Sequence, residues 1–308
     1  MVEVAVAVLE RPDGAFLLAQ RPQGRVYSGW WEFPGGKIEA GESPEAALAR
    51  ELDEELGVGV RKAYRWITRL HTYPHAKVRL HFFRVVQWTG EPRAKEHAAI
   101  RWQRFGDPMA TPMLPANAPV LAALSLPLEY GITTAETIGV DAMREHLERR
   151  FAGGLRLVQI RDKSLALGVR EAFARSAVAL ARGCGATALV NSDVELARRV
   201  GAHGVHLAAS DLLALRARPA DLLVAASCHD AAGLEHAMNL ELDFAVLGPV
   251  KPTATHPGAV ALGWARFAEL ARGTAIPIYA IGGLVIGDLE DARHAGAHGV
   301  AMIRGAWR

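Results

Sequence analysis

The sequence predicts an α+β unit, a mixed sheet with helices, over residues 1–126, followed by an α/β (β/α)8 barrel lacking its last helix over residues 127–308. Three observations carry this. The length of 308 residues exceeds one ordinary domain. The first part mixes alternating apolar runs with one long helical segment, whereas from Tyr130 short apolar runs alternate regularly with helical stretches. Between them lies a passage punctuated by Pro108, Pro112, Pro115, Pro119 and Pro127.

Each element follows from its local pattern. The opening MVEVAVAVLERPDG alternates valines and ends in Asp13-Gly14, which reads as a strand entering a hairpin and not as a signal peptide. Further strands are expected at 15–20, 64–70, 78–86 and near 100–103, with a short helix at 117–124. Ser43 is placed to cap a helix, Pro44 suits its first position, and Gly57 supplies a left-handed stop. Ala46, Ala47, Leu48, Ala49 and Leu52 give that helix an apolar side. In the second part strands are expected at 131–133, 155–161, 186–190, 204–207, 223–227, 244–248, 276–280 and 299–303. Helices near 135–150 and 169–182 fall between them, and eight such strands argue for a barrel. The sequence stops just after the eighth strand, so something other than the usual closing helix must cover that flank.

Half of the residues are apolar, which allows sizeable cores. A net charge of +2 gives no field suited to nucleic-acid or membrane binding. No apolar run approaches the roughly 20 residues of a membrane span. Cys184 and Cys228 have no metal-ligand or CxxC spacing, and both are expected to be buried small hydrophobes in a soluble, cytoplasmic protein.

The most informative stretch runs from Gly36 to Val58, GKIEAGESPEAALARELDEELGV. Glu51, Glu54 and Glu55 stand at i, i+3 and i+4 of the expected helix, on one face. Like charges so placed repel by a few tenths of a kcal/mol (~0.2–0.5) per pair. A divalent cation reverses that balance, because clustered hard oxygen ligands suit Mg²⁺ or Mn²⁺, which in turn clamp phosphate oxygens.

This stretch resembles a complete Nudix box, and Trp30-Trp31-Glu32-Phe33-Pro34-Gly35-Gly36-Lys37 before it resembles the MutT type, which hydrolyses oxidised guanine nucleoside triphosphates such as 8-oxo-dGTP. The resemblance covers residues 1–126 and implies water attack on the β-phosphorus, releasing a nucleoside monophosphate and pyrophosphate. It implies that Glu51, Glu54, Glu55 and Glu96, with a carbonyl of Gly35 or Gly36, hold Mg²⁺ or Mn²⁺. The general base would be one of Glu51, Glu54 or Glu96, and Arg50 would orient the carboxylates. It further places Arg21, Glu32, Phe33, Pro34, Gly35 and Asn117 at the nucleotide. Asn117 would read the oxidised purine, since an amide offers both a donor and an acceptor, and Phe33 and the tryptophans would wall the planar ring. Other readings stand beside these: Arg21 as a surface charge, Glu96 as a rim charge, and Asn117 as the cap of the following helix. Lys37, His71, His75 and His97 are expected to be surface residues.

The second part resembles thiamin phosphate synthase and its relative the thiazole tautomerase, over residues 128–304 of a TIM barrel. Gln159-Ile160-Arg161-Asp162-Lys163, Asn191, Gly204-Val205-His206-Leu207 with Asp211, Gly248-Pro249, Pro252-Thr253-Ala254-Thr255 and Ile281-Gly282-Gly283 carry it. The resemblance implies that Arg161 and Lys163 engage a pyrophosphate and that Asp211 holds Mg²⁺. Thr253 and Thr255, with the amides of Gly282 and Gly283, would then bind a phosphate. Departures are clear: Asn191-Ser192 stands where the family has Asn-Asp, Ala208-Ala209 replaces Gly-Gln, His256 replaces a lysine and Arg304 a serine. Three functions therefore compete. One is a nucleotide-pool-cleansing pyrophosphohydrolase, serving DNA repair, with an altered barrel. The second is a bifunctional thiamin-pathway enzyme, and the third is a hydrolase regulated by a barrel that binds a phosphorylated ligand.

Overall fold

The computed structural model describes residues 1–74, 76–253, 258 and 260–308. The chain separates into two compact units, Met1–Ser125 and Leu126–Arg308. Thr255, His256 and His75 fall outside the described residues.

The first unit is built on two sheets. One orders its strands β4(Gly35–Lys37), β1(Val2–Leu9), β6(Ala76–Thr89), β5(Gly59–Tyr73), with β1 parallel to β6 and antiparallel to β4. The other orders β3(Trp31–Glu32), β2(Phe16–Gln20), β7(Ala99–Gln103). The expected mixed sheet is therefore present. β3 and β4, for which no strand is expected from the sequence, are very short and bracket Phe33-Pro34. The single long helix of this unit, α1(Pro44–Leu56), begins and ends as expected. Ser43 Oγ accepts the Ala46 amide at 3.2 Å, and Gly57 takes φ +70°. A short helix, α2(Ala118–Leu124), follows a 3-10 turn at Pro115–Asn117.

Strand alternation explains how α1 docks. Ala5, Ala7 and Leu9 of β1 pack with Ala47, Leu48, Leu52 and Leu56 of α1, while Val6 and Val8 point into a second core with Phe16, Phe33 and Phe82.

The second unit closes a parallel barrel in the cyclic order β8(Glu129–Ile132), β9(Leu157–Ile160), β10(Thr187–Asn191), β11(Gly204–Leu207), β12(Leu223–Cys228), β13(Phe244–Leu247), β14(Ile278–Ile281), β15(Gly299–Met302). Helices α3(Ala135–Ile138), α4(Val140–Ala152), α5(Leu167–Gly183), α6(Val194–Val200), α7(Ala209–Ala214), α8(Ala231–Asn239), α9(Gly263–Ala271) and α10(Leu289–His294) connect them. Tyr130, Leu157, Leu189, Phe244 and Tyr279 fill the interior. A second, larger core lies between strands and helices.

After β15 the chain makes one 3-10 turn, Arg304–Trp307. Trp307 donates its indole N–H to the Ile132 carbonyl at 2.8 Å, and its ring lies where a side chain on Gly131 would project. The Trp307 ring thus packs against β8. One expectation fails: Cys228 is buried, but Cys184 is exposed at the C-terminus of α5, beyond the apolar face of that helix. Trp307→Ala removes both the ring and a buried hydrogen bond, so urea titration of the full chain is expected to show the barrel destabilised by about 3–5 kcal/mol.

Candidate functional sites

Backbone without side chains lets α1 approach the glycine pair. A methyl group at Gly36 would lie 2.1 Å from the Glu51 carboxyl carbon, and one at Gly35, which sits at φ +142°, would lie 2.1 Å from the Ala5 carbonyl oxygen. Glycine is required at residue 35, where a methyl would meet backbone, while at residue 36 it leaves room for the end of the flexible Glu51 side chain against the strand.

Arg50 is the hub of the cluster. Its guanidinium makes two bonds to Glu42 at 3.0 Å, one to Glu51 at 2.8 Å, one to Glu54 at 3.4 Å and one to the Lys37 carbonyl at 2.9 Å. The Arg50 hydrogen bond holds the Glu42 carboxyl below its ordinary range, whereas burial lifts that of Glu51 despite the same partner. Glu55 accepts the Gly35 amide at 3.0 Å and lies 3.2 Å from His97 Nε2. The His97 side chain is only 5% exposed, so the expectation of a surface histidine is wrong. Its neighbours in sequence, Glu96 and Ala98, are exposed, which hides its burial from pattern reading. Glu54 is half exposed. Glu96 is also half exposed and pairs with Arg25 at 3.7 Å.

Among the described residues no three His, Cys, Asp or Glu side chains converge as a ready metal cage. The α1 carboxylates are directed at Arg50, the Gly35 amide and His97 instead of a common centre. The donor set still fits a hard divalent ion. It supplies carboxylate oxygens at helical i, i+3 and i+4 positions, beside backbone that a Cβ would block.

The residues expected at the nucleotide divide. Arg21 is tied to both Glu32 oxygens at 2.7 Å and to the Val26 carbonyl at 2.8 Å. Burial lifts the Glu32 carboxyl above its ordinary range, against the pull of Arg21. Phe33 does not wall an open site: its ring is buried between Phe16 and Phe82, with centroids at 6.0 and 6.3 Å. Pro34 is buried, with its carbonyl accepting the Ala7 amide at 2.8 Å. Asn117 is 4% exposed and caps nothing. Its amide nitrogen contacts Met113 Sδ at 3.6 Å, and Trp31 bridges to that same Met113.

Sequence reasoning missed Tyr73. Its ring stacks edge-on to His71 at 4.3 Å and meets Tyr27 at 5.7 Å, and burial, then the nearby Glu32 charge, push its hydroxyl up to about 12. Its only signal was an aromatic at the end of a strand.

In the barrel, a cavity of about 270 Å³ opens at the strand ends. It brings together Gln159, Arg161, Lys163, Asn191, Thr253, Gly282 and Gly283. Asp211 does not line it but borders, with Ser192 and Asp193, an adjoining groove that shares Lys163, Asn191 and Ala208 with the cavity. Asp162 shapes the loop that carries Arg161 and Lys163. Its carboxylate accepts Thr133 Oγ1 at 2.5 Å and the Glu136 amide at 3.1 Å, and Thr133 Oγ1 accepts the Arg161 amide at 2.9 Å. Glycine is required across the rim, because Gly282 and Gly283 sit at φ +109° and +64° and a methyl on Gly282 would lie 2.6 Å from Pro249. Two lining residues were not singled out from sequence. Ser227 Oγ lies 2.9 Å from His206 Nε2, and His229 Nδ1 lies 2.7 Å from the Gly248 carbonyl. The other His206 nitrogen, Nδ1, lies 3.0 Å from the Tyr130 hydroxyl.

Comparison with known proteins agrees with this division. The NUDIX domain family matches residues 1–124, and the thiamine monophosphate synthase family matches residues 129–306. A thiamine-phosphate synthase of Thioalkalivibrio sulfidiphilus is 37% identical over 58% of this chain and 86% of its own length. A CTP pyrophosphohydrolase of Escherichia coli is 39% identical over 40% of this chain and 90% of its own. An 8-oxo-dGTP diphosphatase of Haemophilus influenzae is 35% identical over 40% of this chain and 91% of its own.

Burial, reinforced by Arg161 and Lys163, holds the His206 imidazole down at about 3. It therefore stays neutral throughout the physiological range. NMR shifts of its ring carbons are expected to be flat from about pH 5 to 8, and a titration near 6.5 would contradict the buried placement. The unfolded chain takes up this proton below about 6.5 and the folded chain refuses it down to about 3. Stability from this group is thus lost as pH falls through that window.

Proposed function

We propose, for a chain that belongs to the Nudix family over residues 1–124 and to the thiamine monophosphate synthase family over residues 129–306, that the first unit is a metal-dependent nucleoside triphosphate pyrophosphohydrolase with 8-oxo-dGTP as its substrate. The observation that carries the reaction class is the Glu51 carboxylate lodged against Gly36 on the face shared with Glu54 and Glu55. A bound Mg²⁺ or Mn²⁺ supplies charge neutralisation at the phosphates and lowers the pKa of water. The protein's own residues do the rest. Arg50 holds Glu42 and Glu51 in place, Gly35 orients Glu55 through its amide, and Glu51 or Glu54 accepts the proton of the attacking water. Glu96, half exposed and facing Arg25, serves as a further ligand.

Base recognition rests on Asn117. Its carboxamide is buried, caps no helix and meets only the soft sulfur of Met113 among the described residues, so its hydrogen-bonding capacity is available to a base edge. A second reading, cytidine triphosphate, is favoured by the Escherichia coli relative's name. We assign the barrel the binding of a phosphorylated ligand, supported by Arg161, Lys163, Thr253 and the Gly282-Gly283 turn around one cavity.

Two experiments test the assignment. Glu54→Gln is expected to lower pyrophosphate release by orders of magnitude, at about 10²-fold or more for a lost acid–base or metal contact, with circular dichroism unchanged. Near-parental turnover would remove Glu54 from the site. A substrate panel of 8-oxo-dGTP, dGTP and CTP is expected to favour the oxidised purine in the parent. Asn117→Ala is then expected to erode that preference by about 1–3 kcal/mol, roughly 5- to 150-fold, and equal discrimination in both proteins would place base reading elsewhere.

A further inference from the structure

The barrel cavity gathers cations. Arg161, Lys163, Arg304 and Arg308 line it, and among its described lining residues none is Asp or Glu. Arg161 and Lys163 follow β9, and Arg304 follows β15. β8 pairs with both of these strands, so the two loops rise from the rim one strand apart. Nearby basic groups are neutralised: Arg150 by Glu129, Arg170 by Asp193, Lys251 by Asp288. Among the described residues Arg161, Lys163 and Arg304 have no such ion pair. Glu136, the carboxylate that feels Arg161, is bound by the Ser164 amide and hydroxyl at 2.9 and 2.8 Å.

The residues present do not fit a magnesium ion in this cavity. Ser192 stands where the resemblance calls for a carboxylate, and its hydroxyl accepts Asn191 Nδ2 at 2.5 Å. The adjacent Asp193 caps α6 and pairs with Arg170. Asp211 borders the adjoining groove and does not line the cavity itself. Magnesium bridges phosphate to protein through one or two carboxylates, and among the described residues no Asp or Glu stands in the cavity lining. Guanidinium groups do the same work directly, as bidentate donors to phosphate oxygens.

We infer that the barrel binds an organic phosphate or diphosphate ester by direct contact with Arg161, Lys163 and Arg304, without a bridging divalent cation. The ester's apolar part rests on Ile132, Val246, Ile281 and Met302, which line the same cavity. Arg304 takes the place of the missing metal charge. The inference rests on reading the cavity as a phosphate-ligand site.

Isothermal titration of the full chain with inorganic pyrophosphate, in excess EDTA, tests it. EDTA also strips metal from the first unit, so binding there reports the barrel. Saturable binding is expected, weakened about tenfold or more in Arg304→Ala, whose exposed side chain leaves the core untouched. Two results overturn the inference while leaving the phosphate reading intact. One is binding in EDTA that Arg304→Ala does not change. The other is binding that appears only with added Mg²⁺ and is lost in Asp211→Asn. No binding with or without Mg²⁺, in the parent and in a Glu51→Gln background, overturns both readings.

Discussion

The Glu51 carboxylate occupies the space that a side chain at residue 36 would need. Glycine at residue 36 leaves that space to a helix carboxylate, and at residue 35 it is demanded by the backbone of β1, since a methyl there would lie 2.1 Å from the Ala5 carbonyl oxygen. Arg50 makes the crowding tolerable by bonding Glu42, Glu51 and Glu54 together. Adjacent like charges disfavour such a helix by themselves. The guanidinium offsets that repulsion without a ligand, and a cation can take over the role when substrate is present.

Much of this could be read from the sequence. α1 is punctuated at both ends by residues whose side-chain chemistry or backbone freedom has one main use there, so its limits were correct to the residue. The barrel strands were legible because each is a short apolar run between helical stretches. β5 and β6 extend well beyond their apolar runs, since the ladder continues through Lys62 and Lys77 without apolar side chains. Burial was less legible than position. Phe33 looked like a binding wall but serves the core, His97 looked like a surface residue but lies under Glu55, and Cys184 is exposed. These depend on what another element places opposite, which local pattern does not encode.

The two units treat phosphate chemistry differently. The first presents carboxylates, a donor set that suits a hard divalent cation. The second presents cations directly, with no Asp or Glu among the described residues that line its cavity. Its loop geometry is nonetheless maintained by a connected network: Asp162, Thr133 and the Arg161 amide tie β8 to β9, and Gly282 packs against Pro249. The neutral His206–Ser227 pair adds polar groups in the same cavity.

The central claim is that α1 and Gly36 together form a divalent-cation site. Mn²⁺ titration of the full chain, followed by electron paramagnetic resonance, addresses it without reference to substrate. The account expects a bound ion in the parent whose affinity falls about tenfold or more in Glu51→Gln, as for loss of one carboxylate ligand. Equal Mn²⁺ affinity in the two proteins, both folded, would contradict it.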